Sequence, residues 1–327
     1  MTGSPQLLGI SNAIVDVLAH VDDDFLKLIG AEAGSMTLID KDQARALYGQ
    51  MGPATEMSGG SVANTIAGFA NLGGTTAYIG KVKADQLGTI FNHDMRSLGV
   101  DIRLEAAQEG APTARSHVLI TEDGQRTMQT YLGACLELGL ADITDSTIGT
   151  PGAMLLEGYV WDIAEGPALA SKAAQIGKAN GSKVALSLSD SFCVERHRGA
   201  FVDFVRQYAD VIVADEEEVF ALLETETFDE TLEALQDYDN LFAITRSEQG
   251  SVIVHNDTRV VQAATPVEEV VDTTGAGDAY SAGFLYGWSN NQPLDVCAKY
   301  GTYCATKVIQ QLGARIEPGL LDNFKSA

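Results

Sequence analysis

The chain has 327 residues, a length typical of one large α/β domain with an appendage or of two domains. Its 33 glycines, 8 prolines and 45% hydrophobic residues are typical of a globular protein and exclude a collagen-like or disordered chain. The formal net charge of −24 disfavours nucleic-acid and anionic-membrane partners, because carboxylates repel phosphate groups. The sequence contains no long apolar segment, no basic leader and no CxxC pair, so we expect a cytoplasmic protein with free thiols.

The first half of the chain is expected to contain both strands and helices. The predicted elements are strands at 7–15 and 76–80 and helices at 41–50, 61–72 and 85–98. Residues 116–121 and 126–131 alternate in polarity on either side of the turn sequence EDGQ, which predicts an antiparallel hairpin.

The second half has a different rhythm, in which short apolar runs alternate with helical segments of roughly ten to fifteen residues. The runs are 153–156, 184–188, 211–214 and 242–245, and the last predicted helices are 276–288 and 294–311. This alternation is typical of βαβ units. It predicts an α/β fold with a doubly wound, mostly parallel sheet flanked by helices.

Two segments, 17–39 and 112–132, look like strands but do not fit the βαβ rhythm. We expect them to pair into a small β-sheet lid beyond the carboxyl ends of the main strands, where open α/β sheets bind ligands. The α/β domain then comprises residues 1–16, 40–111 and 133–327.

The most informative motif is DTTGAGD at residues 272–278, between a predicted strand and a predicted helix. The two glycines let the N–H groups of Gly275, Ala276 and Gly277 converge on an anion, and the helix N-terminus adds positive charge. Asp278 then lies in the first turn as an ionised general base. On spacing alone, a glycine-rich helix start without catalytic function fits equally well.

A second glycine turn, Gly59–Gly60, opens the predicted helix 61–72, and Asn64 lies one turn into it. The Asn64 amide donates and accepts hydrogen bonds, as sugar hydroxyls require. Asn12 and Asp16 lie at and beyond the end of the first predicted strand, and the Asp16 carboxylate suits two vicinal hydroxyls. All of these are also common turn-forming residues, so a purely structural interpretation stays open.

Two other phosphate-binding motifs do not match the sequence. Gly80-Lys81 is followed by Val82, so a GxxxxGK[ST] loop is absent. The GxGxxG fingerprint of nicotinamide-dependent oxidoreductases does not match at Gly275–Gly277 either, because residue 280 is tyrosine where the third glycine belongs.

The two glycine motifs, in this order and about 210 residues apart, resemble those of the ribokinase-like (PfkB) carbohydrate kinase family. The likeness covers essentially the whole chain. The stretches SNAIVD (11–16), RTM (126–128) and LGA (132–134) are most similar to the adenosine kinase branch.

The resemblance implies the ribokinase-like fold, with ATP as phosphoryl donor and Mg²⁺ as cofactor. It also implies that Asp278 is the base and that the backbone amides of 275–277 form the anion hole. The residues that it places around the acceptor hydroxyls are Asn12, Asp16, Gly59, Gly60 and Asn64.

The chain departs from the family at an Asn-x-x-Glu motif that organises Mg²⁺ and phosphate. The matching stretch is 215–218, with Asp215 in place of asparagine. By the resemblance, Glu218 holds Mg²⁺ through water, the usual arrangement for a cation that loses its water reluctantly. Asp215 adds a negative charge near the ATP phosphates, so we expect tighter metal dependence or weaker nucleotide affinity.

The family's nucleotide-binding segment is similar to residues 245–250, with Ser247 where the family has glycine. Thr245, Ser247 and Gly250 are therefore the expected nucleotide contacts. Asp272 and Thr274 match positions that bind a monovalent cation in potassium-activated members, so K⁺ is a further candidate cofactor.

The resulting hypothesis is ATP-dependent phosphorylation of a primary hydroxyl of a nucleoside or sugar, with adenosine converted to AMP as the leading case. Arg126 is expected to reach phosphate or to pair with a surface carboxylate, and Met128 and Tyr131 are candidates to contact a base. The alternatives are a kinase for ribose, fructose or 2-keto-3-deoxygluconate and a non-catalytic nucleoside or sugar sensor. Monomer and homodimer both stay open.

Overall fold

The computed structural model describes residues 3–324, which form two β-sheets and eleven α-helices. The strands are β1 (Leu7–Ile10), β2 (Ile14–His20), β3 (Met36–Leu38), β4 (Thr55–Gly59), β5 (Thr76–Ile79), β6 (Asp101–Ile102), β7 (Ala114–Ile120), β8 (Arg126–Tyr131), β9 (Ala153–Glu157), β10 (Lys183–Ser187), β11 (Val211–Asp215), β12 (Leu241–Thr245), β13 (Ser251–His255) and β14 (Thr258–Gln262). The helices are α1 (Asp23–Ile29), α2 (Lys41–Gln50), α3 (Ser61–Asn71), α4 (Gln86–Ser97), α5 (Asp145–Ile148), α6 (Gly166–Ala179), α7 (Ser191–Gln207), α8 (Glu216–Leu223), α9 (Phe228–Ala234), α10 (Ala276–Ser289) and α11 (Leu294–Val308).

The larger sheet has the strand order β14-β13-β12-β11-β10-β9-β1-β5-β6. Pairing is parallel from β12 to β6 and antiparallel only at the β12–β13–β14 edge. Successive side chains of a strand point to opposite faces of the sheet. Thus Met154 packs in a core layer with Leu169 of α6, whereas Leu155 packs in a second layer with Ile66 of α3. Helices on both faces confirm the predicted doubly wound α/β fold.

The smaller sheet has the order β3-β8-β7-β2-β4, and we call it the lid sheet. The predicted β7–β8 hairpin is present, and β2 and β3 pair with it as the sequence suggested. Two expected boundaries are wrong. The limit at residue 16 falls inside β2, and β4, which was assigned to the α/β domain, pairs antiparallel with β2 in the lid sheet.

Four local differences separate the expected elements from the observed ones. The first strand ends at Ile10 because the chain leaves the main sheet there and begins β2 in the lid sheet. Segment 17–39 also contains α1, whose first turn is capped by the Asp22 side chain and whose last turn ends at Gly30 with φ +67°. The β13–β14 hairpin was not expected, and α11 ends at Val308 rather than at 311.

Within residues 3–324, none of the helices combines the length and the apolar character needed to cross a membrane. All four cysteines are buried as free thiols, as the sequence suggested.

Candidate active site

A cavity of about 830 Å³ opens at the carboxyl ends of β10, β11 and β12. Ser187, Asp215 and Thr245 end these strands and line it, and Gly277 and Asp278 at the start of α10 line its opposite side. This is the edge at which open α/β sheets bind ligands. The cavity therefore joins the sheet edge to the most informative sequence motif.

Asp278 is held by two side chains of α3. Ser61 Oγ donates to Asp278 Oδ1 at 2.7 Å, and Asn64 Nδ2 donates to Oδ2 at 3.0 Å. Burial raises the pKa of Asp278 to about 6, while these two hydrogen bonds and the charge of Arg315 act in the opposite direction. The carboxylate is thus oriented and ionised at neutral pH, which a general base requires.

The loop before Asp278 has the conformation that its glycines permit. Gly275 has φ +75° and forms the N-terminal cap of α10 without a side-chain hydrogen bond, and a Cβ there would overlap the Cβ of Ala314. A Cβ at Gly277, by contrast, would meet no atom within 4 Å, so this side of the loop is open. Uncapped N–H groups at a helix N-terminus suit an anion such as a phosphoryl group.

The second glycine pair allows the lid sheet to approach α3 closely. A Cβ at Gly59 would overlap the Asp16 carboxylate. Gly60 has φ +96°, and a Cβ there would lie only 2.8 Å from the Asn12 carbonyl oxygen. Asp16 lies within β2 rather than beyond the first strand, because that strand ends earlier than expected. The glycine pair thus brings Asp16 of β2 and the Asn12 carbonyl oxygen close to the start of α3.

Asp16 also lies within electrostatic reach of Asp278. Burial raises the pKa of Asp16 to about 6, Arg315 and Arg126 lower it, and Asp278 raises it further. The predicted hydroxyl-binding carboxylate and the predicted base are therefore electrostatically coupled.

Two charged residues of the site were not predicted. Glu157, at the end of β9, is 1% exposed and accepts from the backbone N–H groups of Asn12 (2.8 Å) and Val62 (3.1 Å). Burial raises its pKa to about 7. The sequence signal that could have identified Glu157 is its position as the one carboxylate of the otherwise apolar strand β9. Arg315 lies in an irregular segment after α11, where no sequence pattern marks it.

Arg126 pairs with Asp272, and both side chains are buried, whereas the sequence suggested a surface carboxylate or phosphate as its partner. The Asp272 carboxylate also accepts from the N–H groups of Thr274 (3.0 Å) and Gly313 (2.9 Å). A guanidinium and two N–H donors thus already bond this carboxylate. The geometry does not favour the predicted monovalent cation at Asp272 and Thr274.

The predicted nucleotide and magnesium residues line the cavity. Asp215 and Glu218 form a capping box at the start of α8: the Glu218 N–H donates to Asp215 Oδ1 at 2.8 Å, and the Asp215 N–H donates to Glu218 Oε2 at 3.0 Å. Burial holds the pKa of Glu218 well above its ordinary value. Carboxylate oxygens that line this cavity fit Mg²⁺ held through water.

Ser247 departs from the family's glycine but keeps a glycine-like conformation. Its φ is +47°, in the left-handed region that side chains other than glycine rarely adopt. Ser247, Thr245 and Gly250 all line the cavity beside Asp215.

The strand register separates the two candidate base contacts of the lid. Asp16 pairs across the sheet with Ser116, and Ser116 with Thr130, so these three side chains share one face. Met128 is two residues from Thr130 and lies on the same face. Tyr131 points to the opposite face, where the Arg115 guanidinium carbon lies 5.9 Å from the centre of its ring, so the register does not place Tyr131 beside Asp16.

The chain is similar in sequence and fold to known proteins. Residues 35–319 match the model of the pfkB family carbohydrate kinases. The structure resembles an adenosine kinase from Sinorhizobium meliloti, with 47% identity, a TM-score of 0.90 and 98% of each chain covered. It also resembles a probable sugar kinase from Rhizobium etli CFN 42, with 43% identity, a TM-score of 0.89 and 97% of each chain covered. A 5-dehydro-2-deoxygluconokinase from Lacticaseibacillus casei is 29% identical over 269 residues, which are 78% of this chain and 81% of that protein.

Proposed function

Since the chain belongs to the pfkB family and is therefore an ATP-dependent carbohydrate or nucleoside kinase, we propose that its acceptor is a nucleoside and that it converts adenosine to AMP. Asn12, Asp16 and Asn64 would bind the ribose, whose 5′-hydroxyl would then face Asp278.

The chemistry follows from the residues around Asp278. The carboxylate, oriented by Ser61 and Asn64, takes the proton of the acceptor hydroxyl while the hydroxyl oxygen bonds to the γ-phosphorus of ATP. The bond from that phosphorus to the β,γ-bridging oxygen breaks, and ADP leaves. The amides of 275–277 hold the phosphoryl oxygens at the N-terminus of α10. Glu218 would hold Mg²⁺ through water, and the bound ion would neutralise charge on the phosphates.

The observation that favours a nucleoside over a free sugar is an apolar area on the lid sheet. Met36 pairs with Met128 and Leu38 with Thr130, so both side chains lie on the face that carries Asp16. Met36 is 47% exposed and Leu38 is 58% exposed. A purine base would remove this apolar surface from water, at about 25 cal/mol per Å². A free sugar offers no comparable apolar surface.

A free sugar is the second candidate, because the chain is 43% identical to a probable sugar kinase. On that alternative, the apolar face of the lid has no part in acceptor binding. The sensor hypothesis is weaker, since a sensor has no need of a carboxylate such as Asp278 that two side-chain donors orient.

The test measures ADP release from ATP and Mg²⁺ with adenosine, inosine, ribose, fructose and 2-keto-3-deoxygluconate. We expect the highest kcat/KM with adenosine and a 5′-monophosphate as product. Leu38→Ser should raise the KM for adenosine about tenfold without changing that for ribose. Val261→Ser is the matched control, because Val261 is 63% exposed on β14, the edge strand of the larger sheet.

Faster turnover of a free sugar, or equal effects of the two variants, would overturn the nucleoside assignment. Binding of adenosine with no turnover of any acceptor would favour a sensor.

A further inference from the structure

The segment after α11 contacts both glycine motifs of the site. The Gly313 N–H donates to Asp272 Oδ2 at 2.9 Å, and Ala314 packs so closely against Gly275 that no Cβ fits between them. Arg315 then extends to the other motif, at the junction of β4 and α3. One short segment therefore joins the anion loop to the acceptor side.

The Arg315 guanidinium spans the Gly59–Gly60 turn. Nη2 donates to the carbonyl oxygen of Ser58 and to its Oγ at 2.9 Å, and Nη1 donates to the carbonyl oxygen of Ala63 at 3.2 Å. Ser58 precedes the turn, and Ala63 lies in the first turn of α3. A planar guanidinium donates in several fixed directions, which allows it to fix two backbone segments at once.

The bridged segment includes the groups that hold the base. Ser61 lies between the two anchor points and Asn64 follows directly after the second, and these two side chains donate to the two oxygens of Asp278. A shift of the turn would therefore move both donors together. Catalysis is sensitive to such displacements, because a misplacement of about 1 Å can cost about a hundredfold in rate.

The surroundings of Arg315 are acidic. Its charge interacts with Asp16, Asp278 and Asp94, and Asp94 Oδ2 accepts from the Ser58 N–H at 2.9 Å. Tyr78 also interacts electrostatically with the guanidinium. The titratable groups around the base itself are Arg315, Asp16, Glu157 and Glu218. Arg315 is the cation among them, and it lowers the pKa of both Asp16 and Asp278.

We propose that Arg315 is a positioning residue for phosphoryl transfer, which bridges the two ends of the glycine turn and so holds Ser61 and Asn64 against Asp278. This role rests on the proposed function of Asp278 as base. It assigns to the C-terminal segment a part in the reaction that no motif of the sequence indicates.

The test compares Arg315→Met and Arg315→Lys with the wild-type protein, using an acceptor that the wild type phosphorylates. Arg315→Met should lower kcat by about 10- to 100-fold with little change in the KM for ATP, because the turn moves while the cavity stays. The acidic limb of its pH–rate profile should move to higher pH, because the pKa of Asp278 rises when the neighbouring cation is lost. Arg315→Lys should restore the acidic limb but not the full kcat, since an ammonium keeps the charge but not the planar fork.

Arg198→Met is the matched control for a purely structural arginine. Arg198 Nε donates to the carbonyl oxygen of Ala221 at 2.6 Å, and Arg198 also pairs with Glu224. Ala221 belongs to the core layer on the other side of the sheet from α3. Arg198→Met should lower the melting temperature and leave kcat and the pH profile unchanged.

The inference is overturned if both Arg315 variants keep the wild-type kcat and acidic limb, whatever their melting temperatures. If Arg315→Met does not fold, an Arg315→Lys variant with wild-type kcat overturns it equally. A wild-type protein that phosphorylates no acceptor refutes the kinase assignment, and the role of Arg315 with it. An active wild type with unaffected Arg315 variants refutes that role alone.

Discussion

Removal of the Ser61 hydroxyl should shift the pH dependence of the reaction. Ser61 Oγ donates to Asp278 Oδ1 at 2.7 Å, and a hydrogen bond to a charged group contributes about 1.5–3 kcal/mol. This bond favours the ionised carboxylate, so Ser61→Ala raises the pKa of Asp278. At about 1.4 kcal/mol for each pH unit, the pKa moves from about 6 to between about 7 and 8.

The sign and size of the effect on rate follow directly. A general base acts only when ionised, so a higher pKa removes activity at a higher pH. At pH 7 the ionised fraction of Asp278 falls from about nine-tenths to between about a half and a tenth. We expect kcat/KM at pH 7 to fall about two- to tenfold, with most of the loss recovered at pH 9.

The assay is kcat/KM from pH 5 to pH 9 for the wild type, Ser61→Ala and Thr65→Val. Thr65 lies on the same helix one turn later, but its Oγ1 donates to the backbone carbonyl of Asp278 at 3.2 Å rather than to the carboxylate. Thr65→Val should therefore leave the acidic limb in place. The reasoning is refuted if the acidic limb of kcat/KM stays near pH 6 in Ser61→Ala, or if it shifts equally in both variants.

The further predictions concern the glycine motifs and the charges of the site. Gly59→Ala should raise the KM for the acceptor, because the new Cβ collides with the Asp16 carboxylate. Gly277→Ala should raise the KM for ATP and leave the melting temperature unchanged, because a Cβ there meets no protein atom within 4 Å. An unchanged KM in either variant contradicts the role assigned to that glycine. Asp215→Asn keeps an N-cap and should leave stability intact while lowering the KM of MgATP, and unchanged metal and ATP constants would reject the charge argument. Activity should be equal in potassium and sodium chloride, because a guanidinium already pairs with Asp272; strong activation by K⁺ would show that the pair opens.

Features carried by local patterns could be predicted from the sequence. The buried parallel strands β9 to β12 are short apolar runs between helices, and each was expected within one or two residues of its observed bounds. The DTTGAGD and Gly59–Gly60 motifs depend on backbone conformations that only a few residue types adopt, so they mark the site directly. The positive φ of Gly60 and Gly275 agrees with that argument.

Features that depend on non-local contacts could not be predicted. The apolar run 7–15 continues across the change from one sheet to the other, so its hydrophobicity does not show where β1 ends. The segment Thr55–Gly59 is not apolar, and it becomes a strand only because β2 pairs with it. Alternation shows that Met128 and Tyr131 lie on opposite faces of β8, but not which face meets the acceptor. Arg315 has its role through contacts with residues about 250 positions away in the chain.

The most direct test of the account is the formation of AMP from ATP and adenosine by the wild type, Asp278→Asn and Asp295→Asn. Asp295 lies in the first turn of α11, so its variant is matched in residue type and helix position but lies outside the cavity. The account predicts rapid turnover by the wild type and by Asp295→Asn, and a kcat about 10² to 10⁴ times lower for Asp278→Asn, which should still bind adenosine. Turnover by Asp278→Asn at the wild-type rate, or a wild type that forms no AMP, would contradict it.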